Sequence, residues 1–403
     1  MKKLRICFTS NSSPWSKFHG GGQIFIHNIA KNLNKMGHRV VVLYTGPNSE
    51  SASEDLNSNY KKEWAPYLGY PMTAKLRQLN SVTVYNKLKY IHKKYNFEVI
   101  NSLGGEALFL PKFCKTVGIP FFVSIEHPNL KAVSPSLKWV QPFKTLSNIL
   151  RARELWICKY ACIRSNAVFT PSIFSKLEVI RHFKLNSSKV HVIYHGIVDK
   201  MLVSSSKSVD YDPMGPFLFF GRLEPQKGVD MLIRAYFKLI KEKILASQNL
   251  VIIGEGPYEK KYRKIVNNLG LKSRVIFKGW RSAGYIKEKL SKASFCILPS
   301  TSESFGLSIA ETLSQGVPLI TTSAGSIPEV VDFGRGAWLA KPNNLDSLFY
   351  TIKNAIKNYK ETLRKARYGR QFVRKKYTWE KAAQEYENFY FKVLKSDGIG
   401  KKY

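Results

Sequence analysis

Glu303 and Glu311 belong to the segment Pro299-Ser-Thr-Ser-Glu303-Ser304-Phe305-Gly306-Leu307-Ser-Ile-Ala-Glu311, which leaves the apolar run Phe295 to Leu298, crosses a polar loop and enters a helical pattern. A loop that opens a helix presents free backbone N–H groups and the positive end of the helix dipole, a seat for an anion such as a diphosphate. Glu303, ahead of the helix, can accept hydrogen bonds from sugar hydroxyls. Glu311, inside the helix, can reach the hydroxyls of a ribose. The residues between them, Ser304, Phe305, Gly306 and Leu307, form the seat itself. The bland alternative for two glutamates at this spacing is a capped helix with one solvated carboxylate.

A second cluster follows the apolar run Phe217 to Phe220, in Gly221-Arg222-Leu-Glu-Pro-Gln-Lys227-Gly-Val-Asp. Arg222 offers a planar fork of donors and Lys227 a mobile point charge, both suited to phosphate oxygens, although either could simply be solvated in so basic a chain. Gly254-Glu-Gly256-Pro257 suits a tight strand-to-helix turn with Pro at the first helical position. It is no dinucleotide fingerprint, because Glu259 stands where the third glycine of G-x-G-x-x-G would be. Gly20, Gly21 and Gly22 precede the first long helix, where absent side chains let backbone approach a ligand. His127, in Glu126-His127-Pro128, ends a strand, and His195 lies near the middle of the chain, where it reads as a hinge. Asp210-Tyr-Asp212 has the form of a metal motif, but it precedes Pro213 in a linker and has no partner ligands, so no metal site is expected.

The elements that must position these residues alternate strand and helix. Apolar runs begin at Leu4, Arg39, Phe97, Pro120, Ala167 and Val190, and a second series begins at Phe217, Leu250, Arg274, Phe295 and Pro318. Helical patterns begin at Gln23, Gly228, Tyr258 and Phe305. This alternation predicts an α/β fold of two doubly wound, Rossmann-like domains facing across a cleft, with ligands beyond the carboxyl ends of the strands. The boundaries expected are 1–198, a Ser-, Pro- and Gly-containing linker at 199–215, a second domain at 216–372, and at 373–403 a basic helix packing back on the first domain. The 403 residues suffice for two domains, and 44% hydrophobic content excludes disorder. No run of apolar residues reaches membrane-spanning length, and the start turns polar too soon for a secretory signal. Five cysteines without a C-x-x-C pair read as buried thiols.

Lys and Arg outnumber Asp and Glu by 64 to 28, a formal charge of +36, so an anionic partner is expected. Two stretches of the first half concentrate basic and aromatic residues: Lys75 to Tyr95, read as a basic amphipathic helix pair, and Lys131 to Trp156. They point to an anionic membrane surface, with a solvated face as the alternative. Nucleic acid would ask for aromatic platforms along a basic groove or a binding module, and neither is evident.

The E-x7-E segment resembles that of the retaining glycosyltransferase family 4, whose fold is GT-B. The likeness continues in Gly221-Arg-Leu-x-x-x-Lys227-Gly, in Gly254-Glu-Gly-Pro257, in Gly20-Gly-Gly22 and in Ala324-Gly-Ser-Ile-Pro-Glu329. It implies a metal-independent hexosyltransferase without a cofactor, moving a sugar from a nucleotide-diphosphate donor to a glycan or lipid-linked acceptor in cell-surface polysaccharide, lipopolysaccharide or glycolipid synthesis. The catalytic set it implies is Glu303, His127, Arg222 and Lys227, with donor contacts from Gly21, Gly22, Gly254, Gly256 and the Ser304 to Glu311 segment. A chain with Tyr194-His195-Gly-Ile departs from the Asn-Gly-Val-Asp of many relatives, so no role passes to that position. The expected location is cytoplasmic, peripheral on the membrane. A nucleotide-sugar hydrolase or epimerase on the same fold is the alternative reading.

Overall fold

The computed structural model describes residues 2–10, 21–46, 59–66, 80–126, 142–198, 201, 213–245 and 247–396. The chain divides into two compact units, Met1–Tyr194 with Trp379–Tyr403, and His195–Thr378. Most of the expected linker, together with Asp210 and Asp212, lies outside the described residues.

The first unit runs β1 (Arg5–Ser10), α1 (Gly21–Lys35), β2 (Arg39–Gly46), β3 (Lys61–Pro66), α2 (Asn80–Tyr95), β4 (Val99–Ser102), α3 (Leu110–Val117), β5 (Phe121–Ser124), α4 (Pro142–Arg164), β6 (Ala167–Thr170), α5 (Ile173–Phe183) and β7 (Val190–Val192). Its sheet has the order β3-β2-β1-β4-β5-β6-β7, and every pairing is parallel. β4, β5 and β6 are buried along their whole length, since helices cover both faces, which is why they read as unbroken apolar or small-residue runs. Strand order reverses between β1 and β4, where Thr9 lies beside Ser102. Open parallel sheets take their ligands at such a reversal, beyond the carboxyl ends.

The second unit runs β8 (Phe217–Phe220), α6 (Val229–Lys241), β9 (Leu250–Ile253), α7 (Glu259–Asn268), β10 (Val275–Phe277), α8 (Ala283–Ser291), β11 (Phe295–Leu298), α9 (Leu307–Gln315), β12 (Leu319–Thr322), α10 (Ile327–Val330), β13 (Trp338–Ala340), α11 (Leu345–Lys357) and α12 (Tyr359–Lys376). The parallel sheet has the order β10-β9-β8-β11-β12-β13, with its reversal between β8 and β11.

The chain then re-enters the first unit as α13 (Trp379–Ser396), residues 373–376 having completed α12. A row of aromatic residues fastens α13. Phe25 of α1 lies 6.4 Å from the Trp379 ring and 5.8 Å from the Tyr386 ring, and Tyr390 OH accepts from Asn101 Nδ2 at 2.8 Å. His38 Nδ1 accepts the Leu4 N–H at 3.1 Å, so the ring must donate through Nε2, and it does so to Glu387 at 2.9 Å. Burial lowers the His38 pKa from its ordinary value, consistent with that neutral tautomer.

The basic stretch ending at Tyr95 forms one described helix, α2, with residues 75–79 outside the described set. Glu63 of β3 meets its basic side, pairing with Lys87 at 3.0 Å and with Lys94 at 4.0 Å. Among the described residues no helix is long and apolar enough to cross a membrane. The five cysteines are free, and all but the half-buried Cys158 are buried.

Candidate functional site

In the second unit the loops after β8 and β11 meet at the reversal point. After β8 the chain makes a single 3-10 turn, Pro225–Lys227, closed by Gly228 at φ 68°. Thr301, just past β11, donates its backbone N–H to the Gln226 carbonyl at 2.7 Å and ties the loops together. Across that tie, Lys227 Nζ donates to Glu303 Oε1 at 2.6 Å, with the Lys side chain 19% and the Glu side chain 7% exposed. This is a short, charge-assisted bond in a largely dry setting. It engages one of the three ammonium donors of Lys227. Arg222 is tied elsewhere, to Glu224, and stays more than half exposed at 55%. The two expected phosphate ligands are thus each held by a separate carboxylate. Glu224, to which sequence reasoning gave no role, also accepts from Gln226 Nε2 at 3.0 Å.

Backbone packing explains the glycines. A Cβ on Gly254 (φ 135°) would lie 1.9 Å from the Gly221 carbonyl oxygen, and one on Gly256 would lie 2.5 Å from that of Leu223. These two glycines let the β9 turn lie directly against the loop bearing Arg222. Gly325 (φ 58°) does the same for Glu303, whose carbonyl oxygen would be 2.3 Å from an added Cβ. That carbonyl also accepts from Ser326 N and Ser326 Oγ, both at 3.2 Å. The Ala324 to Glu329 segment therefore fixes where Glu303 stands.

α9 opens from Gly306, which caps it in a left-handed conformation at φ 90°, so the helix starts at Leu307, two residues later than the sequence pattern suggests. Phe305 turns inward. Its ring is buried between His195 and Tyr377, at 5.2 Å from each, which leaves its backbone and not its side chain for a ligand. His195 is accordingly a buried packing residue at the start of the second unit. Ser304 is buried as well. Glu311 follows Leu307 by one turn on the same helix face. Burial pushes its carboxyl up from 4.5 to about 7. A carboxylic acid near neutrality can both donate and accept, as a vicinal diol requires.

In the first unit Gly21 and Gly22 open α1. A Cβ on Gly22 would lie 3.4 Å from Leu103 Cδ1 and 3.6 Å from Glu126 Cγ, so the helix start, the loop after β4 and the end of β5 meet at the carboxyl edge of that sheet. Gly20 and His127 lie outside the described residues. At the same edge is a residue that no motif marks. Glu106 is fully buried and accepts from Thr9 Oγ1 at 2.8 Å and Ser102 Oγ at 2.9 Å, while burial pushes its carboxyl up to about 7. Its only trace in the sequence is an acidic residue directly ahead of the apolar stretch Ala107 to Leu110. Among the described residues no group of three or more His, Cys, Asp or Glu is placed to hold a metal ion.

Glu106 and Glu311 give stability a definite pH slope. A carboxyl whose folded pKa lies above its unfolded value binds more protons folded than unfolded between the two, so its stabilising effect is complete below 4.5 and is lost as pH rises to about 7. His38, His92 and His191, whose pKa values burial lowers, contribute the opposite slope, so we expect Glu106→Gln and Glu311→Gln each to make the change of melting temperature between about pH 5 and about pH 8 less negative than in wild type. Melting curves across this range with the same slope in wild type and both variants would contradict the assignment.

Comparison with known proteins identifies the family and the fold. Residues 19–200 match the model of Glycosyltransferase Family 4, and residues 208–372 match that of Glycosyl transferases group 1. The uncharacterized glycosyltransferase MJ1178 of Methanocaldococcus jannaschii is 33% identical over 249 residues, 61% of this chain and 64% of that protein. The chain spans about three fifths of the length of the first curated relatives it matches. Among solved structures, sucrose-phosphate synthase from Thermosynechococcus elongatus superposes with a TM-score of 0.79 at 17% identity, covering 98% of this chain and 100% of that one. Anabaena Alr3699/HepE in complex with UDP and glucose gives 0.73 at 19%, covering 96% and 99%. At these identities the structures speak for the fold alone, two doubly wound parallel-sheet units of GT-B type. With two family models that together cover nearly all of 19–372, the chain belongs to glycosyltransferase family 4.

Proposed function

We propose that the protein is a retaining glycosyltransferase that moves a sugar from a nucleoside-diphosphate donor to a glycan or lipid-linked acceptor, with the donor held by the second unit. The observation that carries this reading is the Lys227–Glu303 bond, which brings a phosphate-seeking cation and a hydroxyl-seeking carboxylate to one point beyond β8 and β11. The Anabaena relative in complex with UDP and glucose supports a nucleotide sugar as the donor class.

In the proposed reaction the bond from the anomeric carbon to the β-phosphate oxygen breaks through an oxocarbenium-like transition state, and a bond to the acceptor oxygen forms. The departing oxygen gains charge, which Arg222 and the remaining donors of Lys227 stabilise more strongly than in the ground state. The acceptor proton passes to the leaving phosphate on the same face of the sugar, so no protein nucleophile is required. Glu303 orients the sugar through its hydroxyls, and Glu311 holds the ribose. Because the positive charge at the leaving group comes from side chains, the reaction is metal-independent in this reading. The acceptor belongs to cell-surface polysaccharide, lipopolysaccharide or glycolipid synthesis, and the excess of positive charge suits work at an anionic membrane surface.

The test is incubation with a panel of nucleotide sugars and candidate acceptors in the presence of EDTA, with products resolved by NMR. Transfer with retention at the anomeric carbon, unchanged by EDTA, is expected. Inversion or chelator-sensitive turnover would overturn the mechanism, and free sugar as the sole product would make the protein a hydrolase.

A further inference from the structure

We propose that the first unit carries a seat for the phosphate of an anionic phospholipid headgroup, at the amino-terminal edge of its sheet between α3 and α4. The proposal rests on the reading that the protein works at an anionic membrane, and names the face that docks. A cavity of about 560 Å³ lies there, lined among others by Lys112, Lys115, Gly118, Tyr160, Arg164 and Asn166. Its floor is the start of β5 and β6: Asn166 donates its backbone N–H to the Phe121 carbonyl at 2.7 Å, and Asn166 Oδ1 accepts from Phe121 N at 2.9 Å. This is the end of the sheet opposite to Gly22 and Leu103, so an occupant here would leave the carboxyl edge open.

The chemistry of the lining is one-sided. It contains three cations and no carboxylate, and among the described residues none of the three is ion-paired. The loop at Gly118 (φ 70°) leaves open space where a Cβ would stand, so its backbone is accessible. Trp156, Tyr160 and Arg164 follow one another at four-residue steps along α4 and form a ladder, with the indole stacked on the phenol at 5.5 Å and the guanidinium 3.9 Å over the same phenol. Trp156 is 57% exposed and Ile163 46%, and Val117 at the end of α3 is exposed too. Exposed Trp and aliphatic side chains around unpaired cations are what an interfacial surface presents to headgroups and upper acyl chains. On α2, by contrast, Lys87 and Lys94 are met by Glu63.

The experiment is co-sedimentation of the full chain with phosphatidylcholine vesicles, with and without phosphatidylglycerol, at physiological salt. Wild type should bind only the anionic vesicles. Lys112→Gln/Lys115→Gln/Arg164→Gln should weaken that binding about 100-fold, at roughly tenfold or less per cation lost, and Trp156→Ala alone should weaken it several-fold. Lys87→Gln/Lys94→Gln, on the paired face of α2, should change it by less than about twofold. Melting temperatures and nucleotide-sugar binding should be unchanged in all three variants, which separates lost docking from lost folding. Wild type that binds neither vesicle overturns the membrane reading and the seat with it. Anionic binding that survives the triple change but fails in the α2 variant overturns the seat and leaves the membrane reading standing. Thermal stabilisation by inorganic phosphate that depends on Arg164, without vesicle binding, overturns the lipid in favour of a small anion.

Discussion

Replacing Lys227 with Ala should lower kcat/KM for sugar transfer about 10²- to 10³-fold, the range seen when one donor to a developing oxyanion is removed. It should also destabilise the second unit, because Glu303, 7% exposed, would lose its partner in a largely buried setting. Glu303→Ala should remove most activity with a smaller stability cost, since the ammonium of Lys227, 19% exposed, can relax toward water. The double change Lys227→Met/Glu303→Gln separates the two effects. It removes both charges, so stability should return toward wild type while activity stays lost. Urea unfolding together with steady-state kinetics on these variants checks each part. Near wild-type transfer by either single variant would refute the assigned roles.

Gly325→Ala should cost about 10²-fold in activity although Gly325 offers no functional group. Its added Cβ would meet the Glu303 carbonyl oxygen at 2.3 Å, and neither partner is a flexible side chain. The carbonyl must move, its bonds from Ser326 N and Oγ must stretch, and the Glu303 side chain moves with them. Gly270 is the matched control. It has a similar φ of 69° but open space around the Cβ position, so Gly270→Ala should carry only the left-handed backbone penalty of about 1–2 kcal/mol and leave activity unchanged. Equal effects of the two substitutions on activity would show that strain, and not the placing of Glu303, is what matters at Gly325.

The same contrast marks what could be read from sequence. Phe217 to Phe220, Leu250 to Ile253 and Phe295 to Leu298 are legible as strands because a parallel sheet covered on both faces buries all of these residues but the half-buried Val251, leaving unbroken apolar runs. β3 is not legible. As an edge strand paired only with β2 it keeps Lys61, Lys62 and Glu63 at least partly exposed, and its sequence lacks a buried face. β13, only three residues long, is too short to carry a period. In the site, the strand-end positions of Arg222, Lys227 and Glu303 follow from local pattern. The pairing of Lys227 with Glu303 does not, since the two are 76 residues apart. The motif places Phe305 in the donor seat, yet its ring goes to the core between two other rings that no local window contains. Glu106 escaped notice for the reverse reason, since its partners Thr9 and Ser102 sit on strands that only the fold brings together.

The central claim is that Lys227 and Arg222 bind the diphosphate of a nucleotide sugar in the second unit. It is tested most directly by calorimetric titration of wild type, Lys227→Ala and Arg222→Ala with a panel of nucleotide sugars and their free nucleoside diphosphates, in EDTA. At least one nucleotide sugar should bind wild type, and its affinity should drop about tenfold or more in each variant, as should that of its nucleoside diphosphate. Binding of the same strength in all three proteins, or none to wild type across the panel, would contradict the account.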